Sequence, residues 1–509
     1  MAEMALNRRA LLRGGAKAGL AVALGGVLSG LMSRQALAQA GSGQLEPAPS
    51  PYGPLFPVPD QNTGLPLLKL PRGFTYRTFS WQGDLMPDGN RVKESHDGMG
   101  VVSVGGPGNR DIFLIRNHEV RRSGSIINAP GQYDTAVQNY NNLGSGHLGG
   151  GCTVLRVRNG ELLDHRATLG GTIVNCAGGV TSWGTWITCE ETTYDATNQG
   201  GKKHGYNFEC STDPSQTTGE ALVEMGRFAH EAVAVDPATG YVYQTEDNRN
   251  RSGFYRFKPN DTSRRYGALA QGGKLQAARV VGVDGAKLLA LGGANAVSAV
   301  GQTLEIQWLD VDDPDAAPTG GASGPYAEAV GKGALTMSRG EGLWYHDGAF
   351  ALVDTSFGRN SSGSDGRGLG AVWIYTPSSS NPERGALKLI YAATALVAGN
   401  NPDNITISPR GGLLTCDDGT DVEDGFGPGN RLMGYTPAGE AYIFAKNNVV
   451  LSDSDIAKMG RTGQFPADDY REDEFAGATF DPKGQTLFVN CFTPGFTAAI
   501  RGPWAVGNL

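Results

Sequence analysis

The sequence predicts an all-β chain built as a β-propeller with insertions, and three observations lead there. Strand–turn–strand units recur over several hundred residues, the mark of a radial array. Glycine makes up 76 of 509 residues, about twice the usual share, with no collagen period, which suits short strands and tight turns. An apolar strand ending in an acidic pair occurs three times: TSWGTWITCEE at 181–191, YVYQTED at 241–247 and LLTCDD at 413–418. A propeller brings such equivalent strand ends to one mouth of a common channel, whereas a double-sheet sandwich gives them no reason to match.

Residues 1–40 have the form of a cleavable export signal. NRRALL at 7–12 precedes a largely apolar run at 18–32, and ALA at 36–38 or AQA at 38–40 offers a small-residue cleavage site. The paired arginines resemble a twin-arginine signal. The expected partner is therefore the twin-arginine export machinery, and the expected location is periplasmic or secreted. That route carries folded proteins and suits a metal loaded before export. Residues 41–70 are rich in Pro and Gly and are expected to be an extended N-terminal tether, leaving 71–509 as the propeller domain.

Within that domain the turns are the clearest signal. DPATG at 236–240, SPRGG at 408–412 and DPKG at 481–484 each separate two short apolar runs, with Asp, Pro, Ser and Gly at turn positions. Returning strands are expected at 253–257, 370–375 and 440–445. Insertions fall around 190–225 and 311–335, and a short helix is expected within 451–475.

A net charge of −8 with no basic stripe argues against nucleic acid as a partner. Seven histidines leave zinc short of its usual nitrogen ligands. Six cysteines occur with no CxxC pair, so spacing selects no disulfide. A closed propeller has no edge that must pair, so a monomer is expected.

Converging carboxylates must be protonated, paired or metal-bound, and the nearby bases are too few to pair them. The candidate ligands are Cys189, Glu190, Glu191, Glu231, Glu246, Asp247, Glu341, Asp417, Asp418 and the run Glu472, Asp473 and Glu474. An all-oxygen subset suits Ca2+, and a Cys189 thiolate among carboxylates suits iron better. Arg116, Arg227, Arg339 and Arg410 each fall beside a strand end, and a guanidinium fork matches phosphate oxygens. Arg339 and Arg410 are expected nearest a substrate. His118 and His230 either position a phosphate or hydrogen-bond a backbone carbonyl. This inventory suits multi-metal hydrolysis by an activated water or hydroxide.

Several motifs together resemble the PhoX-type alkaline phosphatases: NCAGG at 175–179, WGTWITCEE at 183–191, GRFAHEA at 226–232, RGEG at 339–342, PDN at 402–404, PRG at 409–411 and GPW at 502–504. The resemblance runs from about His118 to Trp504. It implies a six-bladed propeller, an Fe3+ and Ca2+ cluster, and hydrolysis of small phosphomonoesters for phosphate scavenging outside the cytoplasm. It implies that Cys189 binds iron and that Glu190, Glu231, Glu341 and Asp417 are metal ligands; the strand-end repeat adds Glu246 to the expected ligands, and the residues themselves make Arg339, Arg410 and His230 the expected catalytic groups. Asp417 stands where the family commonly has Glu. The competing functions are a non-enzymatic calcium-binding propeller and a calcium-dependent phosphodiesterase or lactonase-like hydrolase.

Overall fold

A computed structural model of the chain describes residues 44–105, 110–140, 144–291, 293, 296–420 and 423–509. The export signal expected at 1–40 lies outside the described residues. The fold is all-β, with several antiparallel sheets. Helices are few: Gly324–Gly331 lies in the expected 311–335 insertion, and Asp453–Lys458 lies where a short helix was expected. No helix of the described residues is long and apolar enough to cross a membrane.

Six hairpins set the plan. Their first strands are His96–Val104, Asn175–Val180, His230–Val235, Gly340–His346, Pro402–Ile407 and Phe475–Phe480. Each of these touches the next, and the last touches the first, so the six inner strands form a closed cycle. The later strands of each unit run outward. Two units are fused edge to edge through Thr303–Asp310, which pairs with both Gly273–Val280 and Arg384–Ala392 and produces a nine-stranded sheet.

The turns are built as their residues dictate. Asp236 Oδ1 accepts from Ala238 N at 2.8 Å, and Gly240 closes the turn at φ +76°. Asp481 does the same with Lys483 N at 2.7 Å, and Gly484 sits at φ +60°. Ser408 Oγ accepts from Gly412 N at 3.1 Å, around Gly411 at φ +81°. Only glycine takes this backbone without strain.

From residue 44 on, the segment expected as an extended tether carries two strands. Leu55–Val58 and Leu68–Pro71 extend the sheet of Pro402–Ile407, and Leu68 and Leu70 are fully buried. The next strand, Thr75–Phe79, pairs with the C-terminal Phe496–Arg501 and so joins the two ends of the chain. Short alternation in LKLP was too brief to distinguish a strand from extended coil.

The seam between the ends is aromatic. Phe74 meets Tyr52, Phe444 and Trp504 at centroid distances of 5.4, 5.3 and 4.8 Å, all edge-on. Phe74→Ala is expected to cost about 3–5 kcal/mol, read as a lower urea midpoint with an unchanged slope. A shift below about 1 kcal/mol would show that the seam does not hold the ends together.

Candidate functional site

Each inner strand opens with a bulge, and the bulges build the site. His96 pairs with His118 but Met99 with Arg116; Asn175 pairs with Glu190 but Gly178 with Thr188; His230 pairs with Glu246 but Val233 with Gln244. The same one-residue excess follows Gly340, Pro402 and Ala476. A bulge leaves its extra residue unpaired and re-aims a side chain. The residues at equivalent bulge positions are Asp97, Cys176, Glu231, Glu341, Asp403 and Gly477. At Gly477 a Cβ would lie 2.5 Å from the Asp97 carbonyl oxygen, so this member of the ring carries no side chain.

A second set comes from the residues just past the partner strands. Glu119, Glu191, Asp247, Thr355 and Asp418 donate their backbone N–H groups to the residues before the inner strands, Ser95, Val174, Ala229, Arg339 and Asn401, at 2.9–3.0 Å. In the sixth hairpin the ladder runs one residue further, Phe475 pairing with Cys491, and Phe492 N donates to Glu474 O at 3.1 Å, so Glu474 reaches the site from the residue before the inner strand instead.

Three groups of ligand atoms lie within 4.8 Å of one another: Cys176, Glu191 and Glu231; Glu231, Glu341 and Asp403; and Asp403, Asp418 and Glu474. Glu231 and Asp403 belong to two groups each, so the three groups form a continuous arc. The arc is graded in depth, with Glu231 and Glu341 buried and Asp418 exposed. The Cys176 thiol donates to Glu231 Oε2 at 2.8 Å. Glu231 Oε1 and Glu341 Oε1 are buried without a hydrogen-bond donor.

Charge in this arc is strongly unfavourable. Burial first, then neighbouring carboxylates, push Glu191, Glu231, Glu341, Glu474 and Asp97 well above the ordinary range. For the same reasons Asp403 rises to about 7, and burial raises Glu119 to about 7. Two cations meet them among the described residues: Arg121 Nη1 lies 3.5 Å from Glu119 Oε1 at the exposed edge, and Arg339 donates Nε to Asp247 Oδ1 at 2.7 Å, also bonds Asp247 Oδ2, and lies 3.3 Å from Glu341 Oε1. Buried carboxylate oxygens lacking donors, beside a thiol, fit hard cations with one softer position.

Neutral groups fix the arc from behind. Asn117 is fully buried, and its Nδ2 donates to the carbonyls of Cys176 and Ala177 at 2.8 and 2.6 Å, while its Oδ1 accepts from Trp186 Nε1 at 2.9 Å. Asn404 Nδ2 donates to Asp403 Oδ1 at 2.6 Å.

The sequence-predicted residues divide between this arc and the packing behind it. Glu231, Glu341, Glu191, Asp247, Asp418, Glu474 and Arg339 are in it. Cys189 is in an apolar cluster with Ile187, Leu222, Met225 and Val233. Glu190 accepts from Gly205 N at 2.9 Å and pairs with His204 Nδ1 at 2.7 Å. Glu246 accepts from Ser323 Oγ and Tyr255 OH at 2.6 and 2.7 Å. Asp417 pairs with Arg431 at 2.7 Å. The first acid of each pair thus anchors a loop, and the second faces the mouth.

His230 is buried against Phe228, its Nε2 2.9 Å from Gly226 O, and burial holds its pKa down at about 3, so it is neutral. Arg410 sits in the turn at the far end of the strand Pro402–Ile407 and donates to Gly484 O at 2.8 Å. Arg116 and Arg227 are buried and donate to Ser80 O and His204 O, and His118 bonds Thr153 Oγ1. Sequence reasoning missed Asp97, Glu119, Cys176 and Asp403. For the last two the motifs NCAGG and PDN held the signal.

The profile described as Alkaline phosphatase PhoX matches residues 50–167 and 161–495. The chain belongs to the PhoX family. The structure of Pseudomonas fluorescens PhoX in complex with vanadate, a transition state analogue, overlays with a TM-score of 0.59 at 17% identity, covering 92% of this chain and 99% of that one. At that identity the likeness shows a shared fold. The pyranose dehydrogenase PQQ domain from Coprinopsis cinerea overlays with a TM-score of 0.28 at 10% identity over 85% of this chain and 97% of that one, and carries no argument. The comparison with curated proteins found no match. For this PhoX-family chain, family membership and the arc together give a hydrolase of phosphatase type with acidic groups able to hold metal.

The raised carboxylates predict a pH-dependent response to cations. A carboxylate raised from 3.8 to about 7 when folded binds more protons in the folded state between those values, so metal-free stability falls as pH rises through that window. The buried neutral histidines, including His230, act oppositely below about pH 6.5, but equally with and without metal. The gain in melting temperature on adding calcium is therefore expected to grow from pH 5 to pH 8. A gain independent of pH would mean that the cation binds elsewhere.

Proposed function

We propose that this protein is an exported phosphomonoesterase that hydrolyses small phosphate esters at alkaline pH, using iron and calcium held in the acidic arc. The carrying observation is the arc itself: a thiol and overlapping carboxylate groups, two with orphaned oxygens, beside Arg339 in a PhoX-family chain. The closed cycle of inner strands supports six blades around one channel. The NRRALL signal supports twin-arginine export to the periplasm or outside, and a monomer suits the joined ends.

Cys176, Glu191 and Glu231 would hold the softer ion, iron. Asp403, Asp418 and Glu474 suit calcium, with Glu341 between them. Bound there, the ions would supply Lewis acidity and lower the pKa of a water. The protein's own share is positional. Asp247 holds the Arg339 fork beside Glu341, ready to neutralise charge on a phosphoryl group. Asn117 and Asn404 fix the backbone and side chain that carry Cys176 and Asp403. Neutral His230 supports the strand end from the opposite face.

The deciding experiment is metal analysis of the exported protein together with phosphomonoester turnover. Cys176→Ser is expected to lose iron and at least about a hundredfold in kcat, while Cys189→Ala keeps both and loses only packing stability. Arg339→Gln is expected to lower kcat/KM by about 10²–10³, and Arg410→Gln to leave it within twofold. Iron retained in Cys176→Ser, or lost in Cys189→Ala, would overturn the assignment. Calcium without iron in active wild-type protein would favour a calcium-only hydrolase.

A further inference from the structure

The mouth is not acidic all the way round. At the fourth hairpin, the position that elsewhere carries Glu119, Glu191, Asp247 or Asp418 is Thr355, whose buried Oγ1 has no hydrogen-bond partner. On this side three arginine-bearing loops interlock. Asn250 N donates to Ser338 O at 2.6 Å, tying the Arg249 loop to Arg339. Arg249 donates to Ser356 Oγ at 3.0 Å and Gly366 O at 3.3 Å, next to Arg367.

The three guanidinium groups differ in what occupies them. Arg339 is already committed to Asp247 and Glu341. Arg249 is held by two neutral acceptors, and among the described residues neither it nor Arg367 has an ion-pair partner. Both side chains are exposed. Ser356, which anchors Arg249, directly follows Thr355, so the Arg249 charge is set at the rim of the arc. Uncommitted positive charge beside a metal-binding arc is suited to an anion that the arc itself does not take.

We infer that Arg249 and Arg367 form a second anion subsite, which selects phosphate esters whose leaving group carries a further negative group, a carboxylate or a second phosphate. This rests on the phosphatase reading: the reacting phosphate lies at Arg339 and the arc, and the second anion lies over the fourth hairpin. The Thr355 hydroxyl, buried and without a partner, directly precedes Ser356, which holds Arg249.

The test compares glycerol 3-phosphate with 3-phosphoglycerate, a matched pair differing in one terminal carboxylate. The metal-loaded wild type is expected to favour 3-phosphoglycerate about tenfold, a difference of about 1.4 kcal/mol, and through KM. Arg367→Gln, which removes no described hydrogen bond, is expected to cut that preference at least about threefold, and the double variant with Arg249→Gln to abolish it. The kcat on glycerol 3-phosphate should stay within twofold. No preference in the wild type, or an equal loss on both substrates, would overturn the subsite and leave the arginines as loop supports or counter-charge. If the wild type turns over neither ester, the phosphatase reading fails separately. Calorimetric binding of the same pair then decides the subsite, equal affinities overturning it and weaker 3-phosphoglycerate binding by Arg367→Gln supporting it.

Discussion

Everything at the mouth depends on like charges being held together in a poorly solvated space. Asp97, Glu119, Glu191, Glu231, Glu341, Asp403, Asp418 and Glu474 mutually raise one another's pKa values, with Arg339 set among them. No folded chain gathers such groups for stability, because removing each from water opposes folding and each neighbour adds to that. The arc is instead stored strain of an electrostatic kind, which protons relieve at low pH and cations relieve at high pH. The same property that makes the metal-free protein less stable suits the arc to holding cations.

What resists that repulsion is backbone geometry more than side-chain pairing. Six equivalent bulges present six positions to one axis, and the packing behind them leaves almost no room. A Cβ at Gly98 would lie 2.5 Å from the Ala177 Cα, and one at Gly342 2.6 Å from the Asp403 carbonyl oxygen. The ligand residues are thus set by a close-packed ring of backbone, with buried amides such as Asn117 locking the bulges in place. Far from the mouth the aromatic seam joins the chain ends, so the ring has no free edge along which to open.

The fold was legible wherever local chemistry decides it. Asp236, Ser408 and Asp481 each build a turn from their own side chain, and the flanking apolar runs pair as their alternation requires. The site was legible only to within one residue. Glu190–Glu191, Glu246–Asp247 and Asp417–Asp418 were recognisable as strand-end acids, but adjacent residues of a strand face opposite ways. The choice between them depends on which face the next unit covers, a fact of tertiary packing. The cysteines show the same limit. Cys189 sits beside two acids in sequence and faces oil, while Cys176 lies in NCAGG with no acid beside it and faces the arc, because a bulge that pattern counting does not see turns it there.

The asymmetry of the mouth is the last consequence of the ring. Equivalent positions make it easy to vary one without disturbing the others, and here Gly477 departs among the bulge positions and Thr355 among the residues past the partner strands. Gly477 is empty because the neighbouring backbone leaves no space. Thr355 has no such excuse: the loops around it are polar, solvent-reaching and arginine-bearing. Replacing an acid by a threonine at this one place removes a negative charge from the ring and lets Arg249 and Arg367 approach without being consumed in ion pairs. An anionic substrate meeting a fully acidic rim would be repelled until metals were bound, and even then from every direction. A gap in the acids offers one favourable approach, so in the proposed phosphatase the side from which a phosphate ester arrives would be set by the same ring that would hold the cations.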